Sequence, residues 1–443
     1  MHMPKPVRVL WALNVAAITL LAGVASANVN DVSTERSGSI IVFPKVIWDG
    51  ERDTIIQITN TSNSMLHARC FYVNAAPVNP QLPPSPANPP RWSETDFDIW
   101  LTRQQPTHWV ASLGRSTFFP GDPKMDSSND AGFSPGLIPP VPEGFIGELK
   151  CVQVDAADVP LRANALKGEA TIRSLLGDVS EYNAIAFQGN PDMTLVDADP
   201  NDLVLDLTPT HAGEYSACPG VLLFDHFAEG ARDLVINQIG ICESVCIAGN
   251  LGAPCSANAD CNTPSATGIC GACPVSTELT LVPCAENLEA QLPGRVTVQF
   301  AVFNEFEQRL STSTTVDCYL NLPLGQIATA GRNPFTFSAL GTISAYTRIT
   351  PNPGICTSGR CTSGSTIGAS CQTSGDCPSS GGVIGVAEEF REATVIDNFV
   401  DGESGRAAAA FNLHTEGNRF DAASDGNGTP AAGVTDHIII PQP

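Results

Sequence analysis

Short apolar stretches separated by turn residues fill most of the chain beyond residue 38. In FDIWLT (97–102), Phe97, Ile99 and Leu101 alternate with more polar positions, which is the period of a half-buried strand. Helical periodicity is almost absent outside the N-terminal segment. Runs rich in β-branched and aromatic residues recur at 40–48, 53–61, 67–75, 145–154 and 168–176. The pattern therefore predicts an all-β protein built from antiparallel sandwiches.

The second half of the chain repeats motifs of the first half in the same order. Segment 57–74, which contains Cys70, matches segment 300–321, which contains Cys318. The other matched segments are 40–56 with 222–236 and 144–150 with 382–388. Because chance rarely preserves the order of several matches, the sequence predicts two tandem Ig-like antiparallel β-sandwich domains, at 38–215 and 216–443.

The N-terminus has the three parts of a secretory signal peptide. A basic start with Lys5 and Arg8 precedes the apolar run 9–24, and residues 25–27 (Ala-Ser-Ala) form a cleavage site. The run is short for a bilayer span, and no stop-transfer charges follow it. We therefore predict that the signal peptide 1–27 is removed. The mature protein is expected to be secreted without membrane insertion, and to be extracellular, or periplasmic if the host has an outer membrane.

The charge balance argues against one class of partner. The chain has a formal net charge of −23 at pH 7, and the signal peptide contains only basic charged residues, so the mature protein is more acidic still. An acidic surface repels nucleic acid and anionic membranes. The apolar fraction of 42% is ordinary for a globular protein. We expect no nucleic-acid partner.

All 15 cysteines follow the signal peptide, and export predicts that most of them form disulfides. Most lie in two Cys-rich inserts of the second domain, at 242–273 and 356–377. Two pairs in the first insert have the spacing of zinc knuckles, but thiols of an exported protein oxidise before they bind zinc. We therefore assign no metal to them. The disulfide-forming cysteines of the inserts are predicted to be Cys242, Cys246, Cys255, Cys261, Cys270, Cys273, Cys356, Cys361, Cys371 and Cys377.

The two inserts share one cysteine frame. CIAGNLGAPCSANADC (246–261) and CTSGSTIGASCQTSGDC (361–377) both end in G-A-x-C-x-x-x-x-D-C. This frame resembles the short Cys/Gly disulfide loops of uncharacterised exported bacterial β-sandwich proteins, a resemblance that covers only the inserts and names no activity. The second copy lacks an equivalent of Cys270, so its pairing is expected to recruit Cys356. With few apolar residues, the loops depend on disulfides for order, and we expect them to protrude as a recognition or assembly surface.

Five cysteines lie outside the inserts. Cys70 and Cys151 are the only cysteines of the first domain and lie on predicted strands, so we expect them to form a disulfide that joins the two sheets. In the second domain Cys318 occupies the place of Cys70, but no cysteine occupies the place of Cys151. Cys318 is therefore expected to bond to Cys218 or Cys284, which leaves one cysteine of this trio unpaired or intermolecular.

The sequence contains no catalytic signature. The histidines of the mature chain are scattered, without H-x-H or H-x-x-x-H spacing. No G-x-S-x-G elbow, P-loop or G-x-G-x-x-G fingerprint is present. The dipeptide Arg52-Asp53 recurs as Arg232-Asp233, which a turn with an ion pair explains more simply than a site. We predict that the protein is not an enzyme and needs no cofactor.

Two features are hypotheses for ligand binding. Trp92, Trp100 and Trp109 all belong to the first domain, and exposed indoles on a sheet face suit sugar stacking, although aromatic residues more often form a second core layer. The acidic run 421–428 offers Asp421 and Asp425 as calcium candidates. Because this run does not match the EF-hand register, a solvated acidic turn is the competing interpretation.

The sequence as a whole favours a secreted, non-catalytic binding or structural protein of the cell surface or extracellular matrix, with a role such as adhesion. Its partner is expected to be a protein or glycan at the cell surface. The alternative function is carbohydrate recognition through exposed aromatic residues of the first domain. The identity of the partner, the assembly state and calcium binding stay open at this point.

Overall fold

The computed structural model describes the chain between residues 32 and 441, with internal gaps. Within the described residues almost all regular structure is β-strand, which confirms the predicted all-β fold. No helix in these segments has the length and apolar composition needed to cross a membrane. The described ranges are 32–79, 88–115, 135–175, 177–190, 201–205, 214–231, 244–248, 250, 255, 257–263, 268–272, 275–327, 333–351, 355–363, 370–372, 381–394, 404–415 and 436–441.

The strands are short, and only two short α-helices accompany them in the described residues. Their bounds, in chain order, are β1 (Ile40–Trp48), β2 (Arg52–Asn60), β3 (Leu66–Asn74), β4 (Ser93–Leu101), β5 (Pro106–Val110), β6 (Phe145–Val154), β7 (Leu166–Ser174), β8 (Val179–Asn183), β9 (Ile185–Phe187), β10 (Asp202–Leu205), β11 (Leu222–Phe227), β12 (Ser244–Ala248), β13 (Ile269–Ala272), β14 (Val275–Pro283), β15 (Glu286–Asn287), β16 (Arg295–Asn304), β17 (Arg309–Asp317), β18 (Leu320–Pro323), α1 (Leu324–Ile327), α2 (Phe337–Leu340), β19 (Ser344–Pro351), β20 (Ile355–Thr357), β21 (Arg360–Ser363), β22 (Val383–Thr394), β23 (Ser404–Asn412), β24 (His414–Thr415) and β25 (Asp436–Ile439).

The first half forms a nine-stranded antiparallel sheet that folds over on itself. The strands hydrogen-bond in the order β4-β3-β6-β1-β2-β7-β8, with β5 on β2 and β9 on β1. One apolar cluster combines side chains of β3, β4 and β6 with side chains of β2, β5 and β7, so these two parts of the sheet face each other as layers. The alternation predicted for 97–102 is confirmed, because Phe97, Ile99 and Leu101 enter this cluster while Asp98 is exposed.

A bulge in β1 changes which side of the strand faces the core. Pro44 has no N–H to donate, and the register with β6 shifts between Phe43 and Val46. Phe43 and Val46 therefore enter the same apolar cluster, although they lie at odd and even positions of one strand. The backbone N–H of Lys45 donates to the hydroxyl of Tyr182, 3.2 Å away. The bulge leaves the side chain of Lys45 fully buried.

The second half contains two sheets that pack face to face. The five-stranded sheet has the order β17-β16-β19-β11-β24, and the four-stranded sheet has the order β18-β14-β22-β23. Val298 and Phe300 on β16 share one apolar cluster with Leu279 and Leu281 on β14. This is the two-layer arrangement of a β-sandwich, with the core between the layers.

The two halves share a further apolar core and a small sheet. β25 lies between β10 of the first half and β15 of the second half, antiparallel to the former and parallel to the latter. An apolar cluster combines Val42 and Phe71 from the first half with Val282 and Ile384 from the second. The contact between the halves is therefore part of the apolar core of the described fold.

The segments that match in sequence take different neighbours in the structure. β1, within 40–56, lies beside β6, whereas β11, within the matching segment 222–236, lies beside β19 and β24. Strand pairing alone does not decide whether the halves are a duplicated unit. The tandem repeat, the Ig-like assignment and the boundary between 215 and 216 stay predictions.

Candidate functional site

The first disulfide loop is a hairpin closed by two interlocking disulfides. β12 and β13 pair so that Cys246 lies opposite Cys270. Cys246 bonds to Cys261 and Cys255 bonds to Cys270, each across 15 residues. A Cβ atom on Gly268 would lie 2.1 Å from the carbonyl carbon of the buried Cys261. The loop therefore has a compact disulfide core that excludes any side chain at residue 268.

This first loop is separate from the apolar cores. None of its described residues belongs to the three apolar clusters. A disulfide that closes a short ring stabilises the fold by about 3 kcal/mol through the unfolded chain, so the loop holds its shape without apolar packing. Because Cys246 and Cys270 are bonded, they offer no thiolate to zinc. Cys242 and Cys273 lie outside the described residues.

The second disulfide loop contains a similar hairpin with its cysteines in another order. β20 and β21 pair so that Cys356 lies opposite Cys361. Cys371 forms a disulfide, and its backbone N–H donates to the carbonyl of Gly359 in the hairpin turn, at 3.0 Å. In the first loop the second hairpin strand follows the cysteine frame, whereas here the strand with Cys356 precedes it. Cys377 lies outside the described residues.

The disulfide predicted between Cys70 and Cys151 is present, with Cα atoms 4.0 Å apart. The two residues are direct partners on the neighbouring strands β3 and β6. The expectation that this bond joins two sheets is therefore wrong, because the strand register places both cysteines in one sheet. The bond fixes the register of two central strands.

The pairing expected for the other three cysteines is wrong. Cys218 bonds to Cys284, with Cα atoms 6.3 Å apart, and Cys318 is free and buried. The backbone N–H of Cys318 donates to the carbonyl of Gly294, at 2.8 Å. Burial, and then the charges of Asp317 and two glutamates, raise the pKa of the Cys318 thiol well above its usual range. A buried, protonated thiol is unreactive, so the odd cysteine is not placed to form an intermolecular bond.

The tryptophans considered for sugar binding are less exposed than the sequence implied. Trp109 is 3% exposed, and its indole N–H donates to the hydroxyl of Tyr72 at 2.6 Å, so it is a core residue. Trp92 is half-buried against the core shared by the two halves. Trp100 is half-buried and stacks on His67, with ring centroids 3.8 Å apart. Only one ring face of Trp100 is therefore left for a ligand.

His67 is the one histidine of the described residues that lies in a group of potential metal ligands. Its Nδ1 lies 2.8 Å from the carbonyl oxygen of Asp155, and its Nε2 lies 3.1 Å from a carboxylate oxygen of Asp98. Both ring nitrogens therefore face oxygen atoms, and the carboxylates of Asp98 and Asp158 lie within reach of the same ring. The calcium candidates Asp421 and Asp425 lie outside the described residues.

A cleft of about 710 Å³ lies between the halves, where β8 approaches β23. Its lining includes Glu35, Glu169 and Glu181, and no lysine or arginine stands among the described residues that line it. The side-chain amide of Asn412 donates to the carbonyl of Asn183 at 2.7 Å, and its oxygen accepts the N–H of Asn183 at 3.1 Å. The charge of this cleft suits a cationic or hydroxyl-rich ligand and disfavours an anion.

A row of exposed and half-buried side chains crosses the outer face of the five-stranded sheet. The strand registers place Asp225 beside Tyr346, Tyr346 beside Phe303, and Phe303 beside Arg309. The rings of Phe303 and Tyr346 are tilted, with centroids 6.1 Å apart. Aromatic faces flanked by charged hydrogen-bonding groups are suited to sugar rings. The sequence does not reveal this row, because its members lie up to 121 positions apart, from Asp225 to Tyr346, and share no local motif.

One buried ion cluster crosses the interface between the halves. The Nζ of Lys45 lies 2.5 Å from Glu278 and 2.6 Å from Glu388, and Arg52 lies 3.1 Å from Glu278. The other oxygen of Glu388 accepts a hydrogen bond from Ser180 at 2.6 Å. Burial raises the pKa of Glu278, but the charges of Lys45 and Arg52 outweigh it and lower that pKa to about 2. Two cations and two carboxylates therefore neutralise each other in this cluster.

A second buried ion cluster also joins the halves. Lys150 on β6 makes a short charge-assisted hydrogen bond to Glu286 on β15, and its Nζ lies 3.7 Å from Glu148 on β6. All three side chains are at most 2% exposed. Burial, and then the neighbouring Glu286, raise the pKa of Glu148 well above its usual range. One cation therefore faces two carboxyl groups in an apolar environment.

The sequence carried a weak signal for these clusters. Lys45 and Lys150 stand within the apolar strand segments FPKVI and ELKCV, where a lysine requires a buried partner or a bulge. Glu148 lies two residues before Lys150, but Glu278, Glu286 and Glu388 are distant in the chain, and nothing in their local sequence identifies them as partners. Only the packing of the halves brings these groups together.

Two comparisons, with protein-family models and with curated proteins, give no match for this chain. No protein-family model matches it. No curated protein matches it either.

Proposed function

We propose that this protein is a secreted, non-catalytic binding or structural protein of the cell surface or extracellular matrix. The observation that carries the proposal is the first disulfide loop, whose described residues form a cross-linked hairpin and take no part in the three apolar clusters. A loop that the core does not need is free to bind a partner. Its cross-links reduce the entropy lost on binding, because the loop is already ordered.

The rest of the described chain supports such a role. The shared apolar core and the buried ion clusters hold the halves together, so they present surface loops on a rigid body. The disulfides are compatible with an oxidising compartment. In this proposal the first half serves as a spacer and support, and the disulfide loops of the second half make the contacts with a surface protein or glycan.

Excision of residues 243–272, rejoined by a short Gly-Ser link, tests this function. The fold is checked by thermal unfolding, and binding is measured with fluorescently labelled protein on intact cells of the source organism. We expect a cooperative unfolding transition to persist and cell binding to be lost. Retained binding would exclude the loop as the contact surface, and a lost transition would make it a structural element.

A second variant changes the surface of the first disulfide loop without removing the loop. Ala259 is exposed in the single helical turn of the first loop, and Ala259→Arg keeps every cysteine. We expect this substitution to weaken cell binding while the melting temperature stays unchanged. An exposed change on the five-stranded sheet, Gln299→Arg, is the matched control and is expected to leave binding intact.

Carbohydrate recognition is the second candidate function, and the row of Tyr346, Phe303 and Arg309 favours it. This row replaces the buried Trp109 as the more suitable aromatic platform. A glycan array with the intact protein, Tyr346→Ala and Trp100→Ala distinguishes the two aromatic sites. Glycan binding lost only in Tyr346→Ala would assign recognition to the five-stranded sheet. No glycan binding by the intact protein would exclude this candidate.

A further inference from the structure

The cluster of Lys150, Glu148 and Glu286 differs chemically from the other ion cluster between the halves. In the cluster of Lys45, the guanidinium of Arg52 supplies a second positive charge, so both carboxylates are balanced. No second cation contacts the carboxyl groups around Lys150 among the described residues. Two ionised carboxylates beside one ammonium group would leave a net buried charge, which is costly. One of the two carboxyl groups is therefore expected to keep its proton.

The orientation of the three groups follows from the strands. Glu148 and Lys150 lie two positions apart on β6 and so point to the same face of the sheet. Lys150 has Phe71 and Val42 as cross-strand neighbours, and both belong to the apolar core shared by the halves. Glu286 reaches the group from the other half. An ammonium, a carboxylate and a neutral carboxylic acid thus meet where water is excluded.

Hydrogen bonding in the cluster is incomplete. Oε1 of Glu286 accepts from Lys150, whereas Oε2 of Glu286 and Oε2 of Glu148 receive no hydrogen bond apart from the proton that one carboxyl group can donate to the other. A buried carboxylate oxygen without a donor costs free energy comparable to a lost hydrogen bond. A chemical change that removes one of these oxygens would relieve this cost. The direct contact of Lys150 with Glu286, with Glu148 beside it and no second cation among the described residues, is the observation that points to a covalent product.

We propose that Lys150 and Glu286 condense inside the folded protein to an isopeptide bond, with Glu148 as the proton donor and acceptor. The bond would connect β6 of the first half to β15 of the second half. It is a modification site that spans 136 residues of sequence. It extends the proposed function without depending on it, because the cross-link would serve any protein exposed outside the cell.

The step balances without a cofactor. A proton moves from the Lys150 ammonium to the Glu286 carboxylate, which gives a neutral amine and a neutral acid, a pair that a dry site tolerates well. The amine nitrogen attacks Cδ of Glu286, and a C–N bond forms. Glu148 protonates the departing oxygen and takes the remaining proton from nitrogen. One C–O bond breaks and one water molecule leaves, so nothing is oxidised or reduced.

The folded structure supplies the two conditions that this condensation needs. The first is proximity, since packing holds the amine nitrogen against the carboxyl group and makes the reaction intramolecular. The second is exclusion of water, which removes the competing hydrolysis of the product. The cluster of Lys45 meets the first condition, but Lys45 and Arg52 lower the pKa of Glu278 to about 2, and a carboxylate anion is a poor electrophile. Lys45 therefore provides a matched control within the same interface.

Mass spectrometry of the folded, purified protein tests the proposal. After reduction and denaturation, we expect the intact mass to be lower by one water molecule than the sequence requires. Protease digestion should give one branched peptide that joins the segment of Lys150 to the segment of Glu286. An intact mass that equals the sequence, with both segments recovered as separate peptides, would overturn the proposal and does not depend on any variant.

Three variants test which residues take part in forming the isopeptide bond. Lys150→Met is expected to abolish the branched peptide, and Glu148→Gln is expected to reduce it strongly because the amide cannot exchange a proton. Lys45→Met removes an equally buried lysine and destabilises the same interface, so a branched peptide recovered from its folded fraction would show that lost stability alone does not abolish the bond. Cross-linking that survives unchanged in Glu148→Gln would exclude Glu148 as the proton donor. A cell-binding defect without any change in the branched peptide would concern the proposed function alone.

Discussion

The ammonium nitrogen of Lys45 on β1 lies 2.6 Å from a carboxylate oxygen of Glu388 on β22, and neither side chain is more than 1% exposed. One residue belongs to each half of the chain. Removing one member of a buried pair leaves the other charge without a partner, which costs more than the intact pair contributes. The contact therefore specifies how the halves pack and makes the interface intolerant of single changes.

The substitution Lys45→Met tests whether the contact between Lys45 and Glu388 stabilises the packing of the halves. We expect it to lower the free energy of unfolding by roughly 3–5 kcal/mol, because Glu388 would be left buried beside only the more distant Arg52. Urea denaturation followed by tryptophan fluorescence measures the change. Arg295→Met removes an exposed charge of β16 and is expected to have an effect within about 0.5 kcal/mol. Equal effects of the two substitutions would contradict a structural role for the buried cluster.

Glu278 predicts a loss of stability in strong acid. Its folded pKa of about 2 lies below its ordinary value of 4.5, so its contribution is fully present above pH 4.5 and is lost as the pH falls towards 2. Unfolding free energies measured at intervals between pH 5 and pH 2 should fall in this window. Glu278→Gln is less stable at pH 5 and should show a flatter profile. A parallel profile for the variant would show that Glu278 is not the titrating group.

The lowered pKa of His226 predicts a second pH range, above that of Glu278, in which acid lowers the free energy of unfolding. Burial lowers its pKa from 6.5 to about 4, and its Nε2 lies 2.8 Å from the hydroxyl of Thr347. Its contribution of up to about 3 kcal/mol is present above pH 6.5 and is lost as the pH falls to 4. Burial also raises the pKa of Glu229 to about 7, which acts in the opposite direction over an overlapping range.

The readout for His226 is therefore the difference between the wild type and His226→Gln. This difference in unfolding free energy should shrink between pH 7 and pH 4. A difference that does not change with pH would mean that the histidine has the same pKa in the folded and unfolded states, which would contradict the prediction. Glu229→Gln serves as the complementary variant, and its effect should grow in the direction of lower pH.

The burial of Cys318 predicts one thiol that does not react with thiol reagents in the folded protein. Burial holds this thiol protonated, so a thiol reagent such as dithionitrobenzoate should find no reactive group under native conditions. In denaturant without reductant we expect one thiol per chain. Cys318→Ala should remove that signal and leave the native protein monomeric or assembled as before. Two or more thiols in the denatured wild type would contradict this assignment.

The second disulfide loop predicts a bond between Cys371 and Cys356. Cys356 stands opposite Cys361, as Cys270 stands opposite Cys246, and Cys270 is bonded to the second cysteine of its frame. Cys371 is the second cysteine of the second frame. Peptide mapping under non-reducing conditions should therefore recover Cys356 joined to Cys371. Recovery of Cys371 joined to any other cysteine would show that the two loops have different topologies.

The sequence was sufficient for features that depend on neighbouring residues. The alternation at 97–102 predicted the buried face of β4, because side-chain direction alternates along any extended strand. The bond between Cys70 and Cys151 followed from their being the only two cysteines of the predicted first domain. Their placement in one sheet did not follow, because register depends on which strands become neighbours.

Long-range packing decided the rest. The bulge at Pro44, the pairing of Cys218 with Cys284 and the isolation of Cys318 all depend on contacts between segments that are far apart in sequence.

The sequence by itself determined the β-strand content and the disulfide-dependent loops, since strand periodicity and a shortage of apolar residues are local properties. The partners of Lys45 and Lys150 were decided only by the tertiary structure. A lysine in an apolar strand indicates that a carboxylate must lie beside it in the folded protein. The local sequence does not identify that carboxylate. Glu278 lies 233 residues from Lys45, and Glu286 lies 136 residues from Lys150. Burial of a charge is tolerated only once the other half of the chain has packed against it.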